Sequence, residues 1–496
     1  MEPLADFVYL NSFGCGPDAI VIDEIKSILE TYSLSPVILK IDEITSIGSA
    51  KLRIRSLLES KSTPFQIRLQ SPRRKLPVFA KKDRHRTILV PDFSPFYSMF
   101  TQAAFTSMGY TIETLPPPDK ESVRTGLQYL NNDICYPAVI TIGDIIKALQ
   151  SGTYDPDKIA VGLTETGGPC RATNYISILK KALLSAGYGN IPVISATTNK
   201  KSLNDQPGFV VNKPKLICLI FSSLMMVDQL VRMFHATAVR ETTPGQSLAA
   251  LRTHLDYARK RLGTWTMKNR TSLLERAIED FNAISAFTGM YPKAGLVGEI
   301  YVKYNPFSNG NIVERLMRNG IQVVMPPLIT FFLQNFINIP FNHDNHIERA
   351  GIIDRQLLRF YQYFIENKIV QVNRLMTRFK HTLDPVILPQ MLSVQAKKVV
   401  NLCNQAGEGW LLPGEIAAMF ESGIRNIICL QPFGCIANHV VGKGISSKLS
   451  KLYPELNLLN LDMDAGNSDA NIQNRLDFFI HAARDQTHRS PGLSSV

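Results

Sequence analysis

Seven cysteines punctuate this 496-residue chain, and four of them share one local context. Cys15 in Phe13-Gly14-Cys15-Gly16-Pro17, Cys135 in Asp133-Ile134-Cys135-Tyr136-Pro137, Cys170 in Gly167-Gly168-Pro169-Cys170-Arg171 and Cys435 in Phe433-Gly434-Cys435-Ile436 each sit in a loop that runs directly into a predicted helix. A cysteine placed there faces unpaired backbone N–H groups and the positive end of the helix dipole, both of which favour thiolate over thiol. Gly14, Gly167, Gly168 and Gly434 let the backbone approach closely and aim its N–H groups at bound sulfur or another anion. Such thiolates suit an iron–sulfur cluster, whose potential is tuned by N–H···S contacts. Spacing alone leaves the metal open, because the thiols are dispersed and no CxxC pair exists. The other three read as small buried hydrophobes: Cys218 in an apolar run, Cys403 on a predicted helix and Cys429 in a predicted strand.

Polar neighbours extend this picture. Glu165 and Arg171 flank Cys170, and a cation at a helix start opposes the dipole, so Arg171 calls for an anionic partner such as a cluster or a phosphate. Asn131, Asn132 and Asp133 before Cys135 are explained by helix capping. His439 lies four residues after Cys435, one helical turn on, where it serves either as a proton donor or as a buried polar group. Glu299 and Asn309 follow a predicted strand at its ligand-facing end, and Glu408 with Trp410 occupies a glycine-rich loop.

Rival motifs fail on inspection. The Gly434–Gly444 segment contains Gly442-Lys443, but its leading glycine is too far upstream and Gly444 replaces the magnesium-binding hydroxyl of a phosphate loop. Asp462-Met463-Asp464-Ala465-Gly466 has its glycine one position early for a calcium loop, and no glutamate closes it. There is no HExxH pair and no GxSxG turn.

The elements that must position these loops alternate between short apolar runs and amphipathic stretches, the signature of an α/β fold with parallel sheets. Strands are expected over 7–10, 37–41, 87–91, 111–115, 158–163, 191–194, 295–302, 322–325, 426–430 and 456–461. Helices are expected over 17–31, 95–109, 136–150, 172–187, 311–319 and 437–452. This predicts two Rossmann- or flavodoxin-like lobes: 1–86 as an N-terminal βαβ unit plus basic linker, 87–235 as the first lobe, 236–292 as a helical connector, 293–483 as the second lobe with a helical insertion, and 484–496 as a disordered tail. In such sheets, loops at the carboxyl ends of the strands converge where ligands bind.

Composition agrees with a large folded protein: 45% of the residues are hydrophobic and 19% charged. The first residues lack the basic and apolar regions of a secretory signal, and the apolar runs 216–227 and 321–333 are interrupted and shorter than the ~20 residues of a membrane span. A cytoplasmic protein without a membrane segment is therefore expected, and the odd cysteine count argues against a disulfide framework. The net charge is +12, and residues 51–86 alone carry twelve Lys/Arg against Glu59 and Asp83. That segment reads as a solvated linker or as a landing site for an anionic partner; no nucleic-acid motif accompanies it.

The same residues carry a resemblance. Leu10-Asn11-Ser12-Phe13-Gly14-Cys15-Gly16, Asn131 to Ala138, Thr164 to Tyr175, Val297-Gly298-Glu299, Asn404 to Trp410, Gln431 to Gly444 and Asp462 to Asn471 look like the C-terminal part of the acyl-CoA dehydratase activase-related proteins. That part is similar to the iron–sulfur subunits of the 2-hydroxyacyl-CoA dehydratases. The resemblance runs in order over about 1–480 and implies a two-lobed α/β protein holding an oxygen-sensitive cluster, [4Fe-4S] or a larger double cubane. Cys135, Cys170 and Cys435 match the family's cysteine motifs and Cys15 matches the FGCG motif of the activase-related group, so these four are the implied metal ligands. Further implications are a separate ATP-hydrolysing activator, a small-molecule or acyl-CoA substrate, and a homo- or hetero-oligomer. Glu165, Arg171 and His439 are the candidates for catalytic roles. A non-catalytic partner or maturation scaffold of an activase–dehydratase system is the alternative function.

Overall fold

A computed structural model describes residues 6–11, 18–32, 34–41, 47–60, 76–166, 170–197, 204–262, 267–349, 351–466 and 469–488. The fold is α/β with parallel sheets, as the alternating pattern requires. Ten strands are present among the described residues: β1 (Val8–Asn11), β2 (Val37–Lys40), β3 (Thr87–Val90), β4 (Ile112–Thr114), β5 (Ile159–Glu165), β6 (Val193–Thr197), β7 (Lys293–Gly298), β8 (Gln322–Val324), β9 (Asn426–Pro432) and β10 (Asn457–Met463). β1 and β2 form a parallel pair; the other eight form two four-stranded sheets, ordered β4-β3-β5-β6 and β10-β9-β7-β8. Read from one edge, both sheets have the same order, second-first-third-fourth. In each, the connection reverses direction beside the first strand, which opens a crevice between the carboxyl ends of β3 and β5 and of β7 and β9.

The chain divides into two compact units, one of Met1–Pro91, Pro118–Phe209 and Phe433–Ile436, the other of Asp92–Pro117, Val210–Pro432 and Ala437–Val496. In the first, the helix Tyr136–Gln150 is buried along nearly its whole length, with Ile140, Ile142, Ile145 and Ile146 sealed from solvent. It packs on the helix Lys120–Tyr129 at unusually close range: a Cβ on Gly143 would fall 1.9 Å from the Ser122 carbonyl oxygen, and one on Gly126 would fall 2.2 Å from that of Val139. The helix Lys120–Tyr129 buries the small residues Ser122, Thr125 and Gly126 and leaves Leu127 exposed, so its apolar positions do not mark the face that packs.

Several expectations change. Within the basic segment, Ile47–Ser60 is a helix rather than part of a linker, with Lys51, Arg53 and Arg55 exposed, while 61–75 lies outside the described residues. At the end of that segment, Arg84 donates to the Gly208 carbonyl and Arg86 to Asp83 and to the carbonyls of Pro156 and Ile159, so these charges are tied to the fold. The helix Asp469–His488 continues through 484–488, five residues assigned by composition to a disordered tail. The strand expected over 295–302 stops at Gly298, and Ile300–Tyr304 is helical. The helix expected over 437–452 is broken: Ile436–Asn438 is one short turn, His439–Lys443 a π-turn, and Ser446–Leu452 a separate helix. The apolar run 216–227 lies inside the helix Lys213–Ala238, the one described helix long and apolar enough to cross a membrane, and 61% of its most apolar window is buried within the protein.

Candidate functional site

Cys135 is the N-cap of the helix Tyr136–Gln150, held in an extended conformation (φ −62°, ψ 144°) with Pro137 in the first turn. The thiol is 6% exposed, packs with Ile134, Ala138 and Ile178, and lies 2.9 Å from the Tyr175 hydroxyl. Cys135 thus stands at the start of the helix as expected, but its sulfur takes no capping hydrogen bond; the Ala138 and Val139 N–H groups go to the Cys135 carbonyl instead.

Cys170 caps a single 3₁₀ turn, Arg171–Asn174, which leads into the helix Tyr175–Ser185. The adjacent Arg171 is buried, and its Nη1 donates to the Asp133 carbonyl at 2.6 Å, two residues before Cys135. Asp133 itself pairs through its carboxylate with Lys40 at 2.9 Å. Gly434, immediately before Cys435, has φ +77°, and a Cβ built there would come 3.1 Å from Arg171 Nη1. Glycine therefore serves two ends at that position, the left-handed backbone and the close approach of the guanidinium. The loops bearing Cys135, Cys170 and Cys435 thus meet around one arginine inside the first unit. Cys170 and Cys435 are partly exposed.

Glu165 ends β5, is buried, and accepts a hydrogen bond from the Ser195 hydroxyl of β6 at 2.6 Å, a contact that locks the two strands together. His439 belongs to the second unit and stands 3.8 Å from Asp462. Burial pushes the Asp462 carboxyl up, but hydrogen bonds from Lys443 and Gln431, each at 2.8 Å, outweigh it and hold the group below the usual range. Gly14, Cys15, Gly167 and Gly168 lie outside the described residues.

Of the three cysteines read as buried hydrophobes, only Cys429 is one. It is sealed in the core with Val297, Leu412, Ile416 and Val441, and burial pushes its thiol up to about 12. Cys218 is exposed because its part of the helix Lys213–Ala238 presents that face to solvent, and Cys403 is exposed in a turn after the helix Pro389–Val399 has ended.

Among the described residues, no three His, Cys, Asp or Glu side chains are grouped closely enough to hold a single metal ion. Cys135, Cys170 and Cys435 are donors of the type an iron–sulfur cluster takes, carried on loops that approach Arg171. Beside the Cys135 loop, a cleft of about 450 Å³ is lined by Lys26, Lys40, Lys181, Asp23, Asn132 and Asp133, all within the first unit. Burial raises the Asp23 carboxyl there, against the pull of Lys181 and Lys26.

A second polar cluster stands at the carboxyl edge of the other sheet. Gly298 has φ +136°, and a Cβ on it would fall 2.0 Å from the Leu430 carbonyl oxygen, so this glycine turns the chain sharply out of β7. Glu299 follows and accepts from the Val302 N–H at 2.8 Å, while Glu408, distant in sequence, accepts from the Ile300 N–H at 2.8 Å. Lys303 lies 3.9 Å from Glu415, and both are buried. Burial, then repulsion from Glu408, raises Glu299 to about 8; burial raises Glu415 to about 7 against the opposing charge of Lys303; burial raises Glu408 as well. Sequence reasoning marked Glu299 and Glu408 separately and missed Lys303 and Glu415. Charged residues inside the apolar helical segments 300–304 and 411–421 were the available signal.

The chain matches no family model, and a search of the curated proteins finds no relative.

Proposed function

We propose that the chain is a cytoplasmic iron–sulfur redox protein of the 2-hydroxyacyl-CoA dehydratase-like kind, reduced by a separate ATP-hydrolysing activator and passing single electrons to a small or CoA-linked substrate. The observation that carries this reading is the convergence of the Cys135, Cys170 and Cys435 loops on the buried guanidinium of Arg171. Cys135, Cys170 and Cys435 would hold the cluster, with Cys15 as the fourth thiol. The cluster supplies low-potential one-electron chemistry when bound. Arg171 carries its guanidinium among the cysteine-bearing loops and fixes the backbone of the Cys135 loop through the Asp133 carbonyl. The Tyr175 hydroxyl lies 2.9 Å from the Cys135 sulfur, where it would donate to that sulfur once it is a thiolate. The exposed basic helix Ile47–Ser60 supports docking of an acidic activator surface.

The test is anaerobic purification followed by iron and acid-labile sulfide analysis and a visible spectrum before and after exposure to air. Brown protein with matched iron and sulfide, bleaching in air, is expected. Colourless, iron-free protein from anaerobic cells would overturn the proposal.

A further inference from the structure

In the second unit, the 25-residue helix Ile352–Met376 buries one face through Ile365, Ile369 and Met376. The face across from it is also apolar, and it is open to solvent. Ile353 is 79% exposed, Leu357 50%, Phe360 65% and Phe364 49%. Their spacing of four, three and four residues is the one that keeps a single stripe facing a partner helix along a coiled-coil seam. Tyr361 and Tyr363 flank the stripe and are exposed as well. The four stripe residues present on the order of 500 Å² in each copy, so pairing two copies covers about the ~1,000 Å² that a specific interface must clear. Soluble monomers seldom leave so large a contiguous apolar patch uncovered.

We propose that this face is covered by the same face of a second copy of the chain, in an antiparallel two-fold pairing centred between Leu357 and Phe360. The stripe is complementary to itself in that sense only. Turned about its midpoint, Leu357 of one copy meets Phe360 of the other, and Ile353 meets Phe364, so each aromatic ring lies against a branched aliphatic side chain. A parallel pairing would set ring on ring and leave the aliphatic positions underfilled, against the packing density of protein interiors. A two-fold contact of one patch with itself is also the commonest way soluble chains associate. Lys368 lies over the Phe364 ring at 5.5 Å, placing charge at the end of the stripe, where an interface becomes polar and wet.

The pairing is tested on the full chain by light scattering coupled to size exclusion. The wild type is expected at the mass of two chains, and Leu357→Glu and Phe360→Glu at the mass of one, with unchanged circular dichroism because both side chains are exposed. A wild type at single-chain mass overturns the proposal, as does either variant remaining at double mass. Wild-type protein that stays single but binds phosphatidylserine vesicles, with binding abolished by the same variants, overturns it in favour of a lipid surface. Orientation is read by oxidation in a background with Cys218 and Cys403 replaced by Ser, with the linked peptides identified by mass spectrometry so that products through the partly exposed Cys170 and Cys435 are set aside. Mixed Ile353→Cys and Phe364→Cys proteins should cross-link to each other and not to themselves; self-linked product would overturn the antiparallel arrangement.

Discussion

The two four-stranded sheets share one strand order, yet the loops at their carboxyl edges do different work. After β5, the chain delivers a cysteine and an arginine into short turns, and Arg171 reaches out of its own loop to the Asp133 carbonyl. After β7, the chain delivers Glu299 into a short helix, and that carboxylate turns back on its own backbone at Val302, while Glu408 satisfies Ile300. The thiols lie at cap positions with two of the three partly open, a geometry suited to ligation. The carboxylates of Glu299 and Glu408 accept from backbone N–H groups, which favours their charged form, but burial outweighs this and raises both, with repulsion from Glu408 adding to the rise at Glu299. A doubly wound sheet supplies the same crevice in both cases; the residues delivered there and their degree of burial decide its chemistry.

The comparison breaks most decisively at the cysteines. Cys135→Ser, Cys170→Ser and Cys435→Ser should each remove most of the iron from anaerobically prepared protein with the far-ultraviolet circular dichroism retained, because a hydroxyl is a poor iron ligand. Cys429→Ser should keep its iron and lose about 1–3 kcal/mol in urea unfolding by burying a hydroxyl in an apolar core. Iron loss confined to Cys429→Ser would reverse the assignment of the two edges.

The carboxylate edge is sharpened by pH. Glu299 and Glu415 titrate in the folded chain at about 8 and about 7, above the range near 4 that they have when unfolded. The folded state therefore holds protons that the unfolded state has already lost. Their contribution to stability is complete below about pH 4 and is lost as the pH rises through 7 and 8. His235 and His381, lowered by burial to about 4, act in the opposite sense and mainly below pH 6.5. From pH 6.5 to 8.5, unfolding free energy should fall by about 2–3 kcal/mol. Glu299→Gln and Glu415→Gln should each flatten that slope. A urea midpoint that rises over this interval would contradict the protonated cluster.

The smallest effect is expected away from both edges. Cys218→Ser and Cys403→Ser should change stability by no more than about 0.5 kcal/mol, since both thiols are exposed. In the native protein these two should react with iodoacetamide at rates near those of a free thiol, while Cys429 reacts only on unfolding. Protection of Cys218 or Cys403 would show that a further surface covers them.

Local pattern was enough to read the α/β class, the positions of the ten strands to within a few residues, and the placement of Cys135 and Cys170 at cap positions. These follow from side-chain periodicity, from proline and glycine at helix entries, and from the dipole at a helix start, all encoded within a few residues of one another. The sequence by itself also marked Cys429 as core, because a cysteine inside an apolar strand has nowhere else to point. Tertiary structure alone decided the rest. The helix Lys120–Tyr129 packs through small residues, where Gly126 and Gly143 let two helices nearly touch. The turn out of β7 at Gly298 is followed by an Ile300 N–H that Glu408 accepts from 108 residues away. Cys218 is exposed because the face of a helix that meets the core is set by its neighbours, not by the hydrophobicity of one run. Arg171 finds Asp133 and Gly434 only once loops 38 and 263 residues away have been brought to it. Contacts between residues this distant carry no periodic signal, and the energy that selects them exists only after the chain has closed around them.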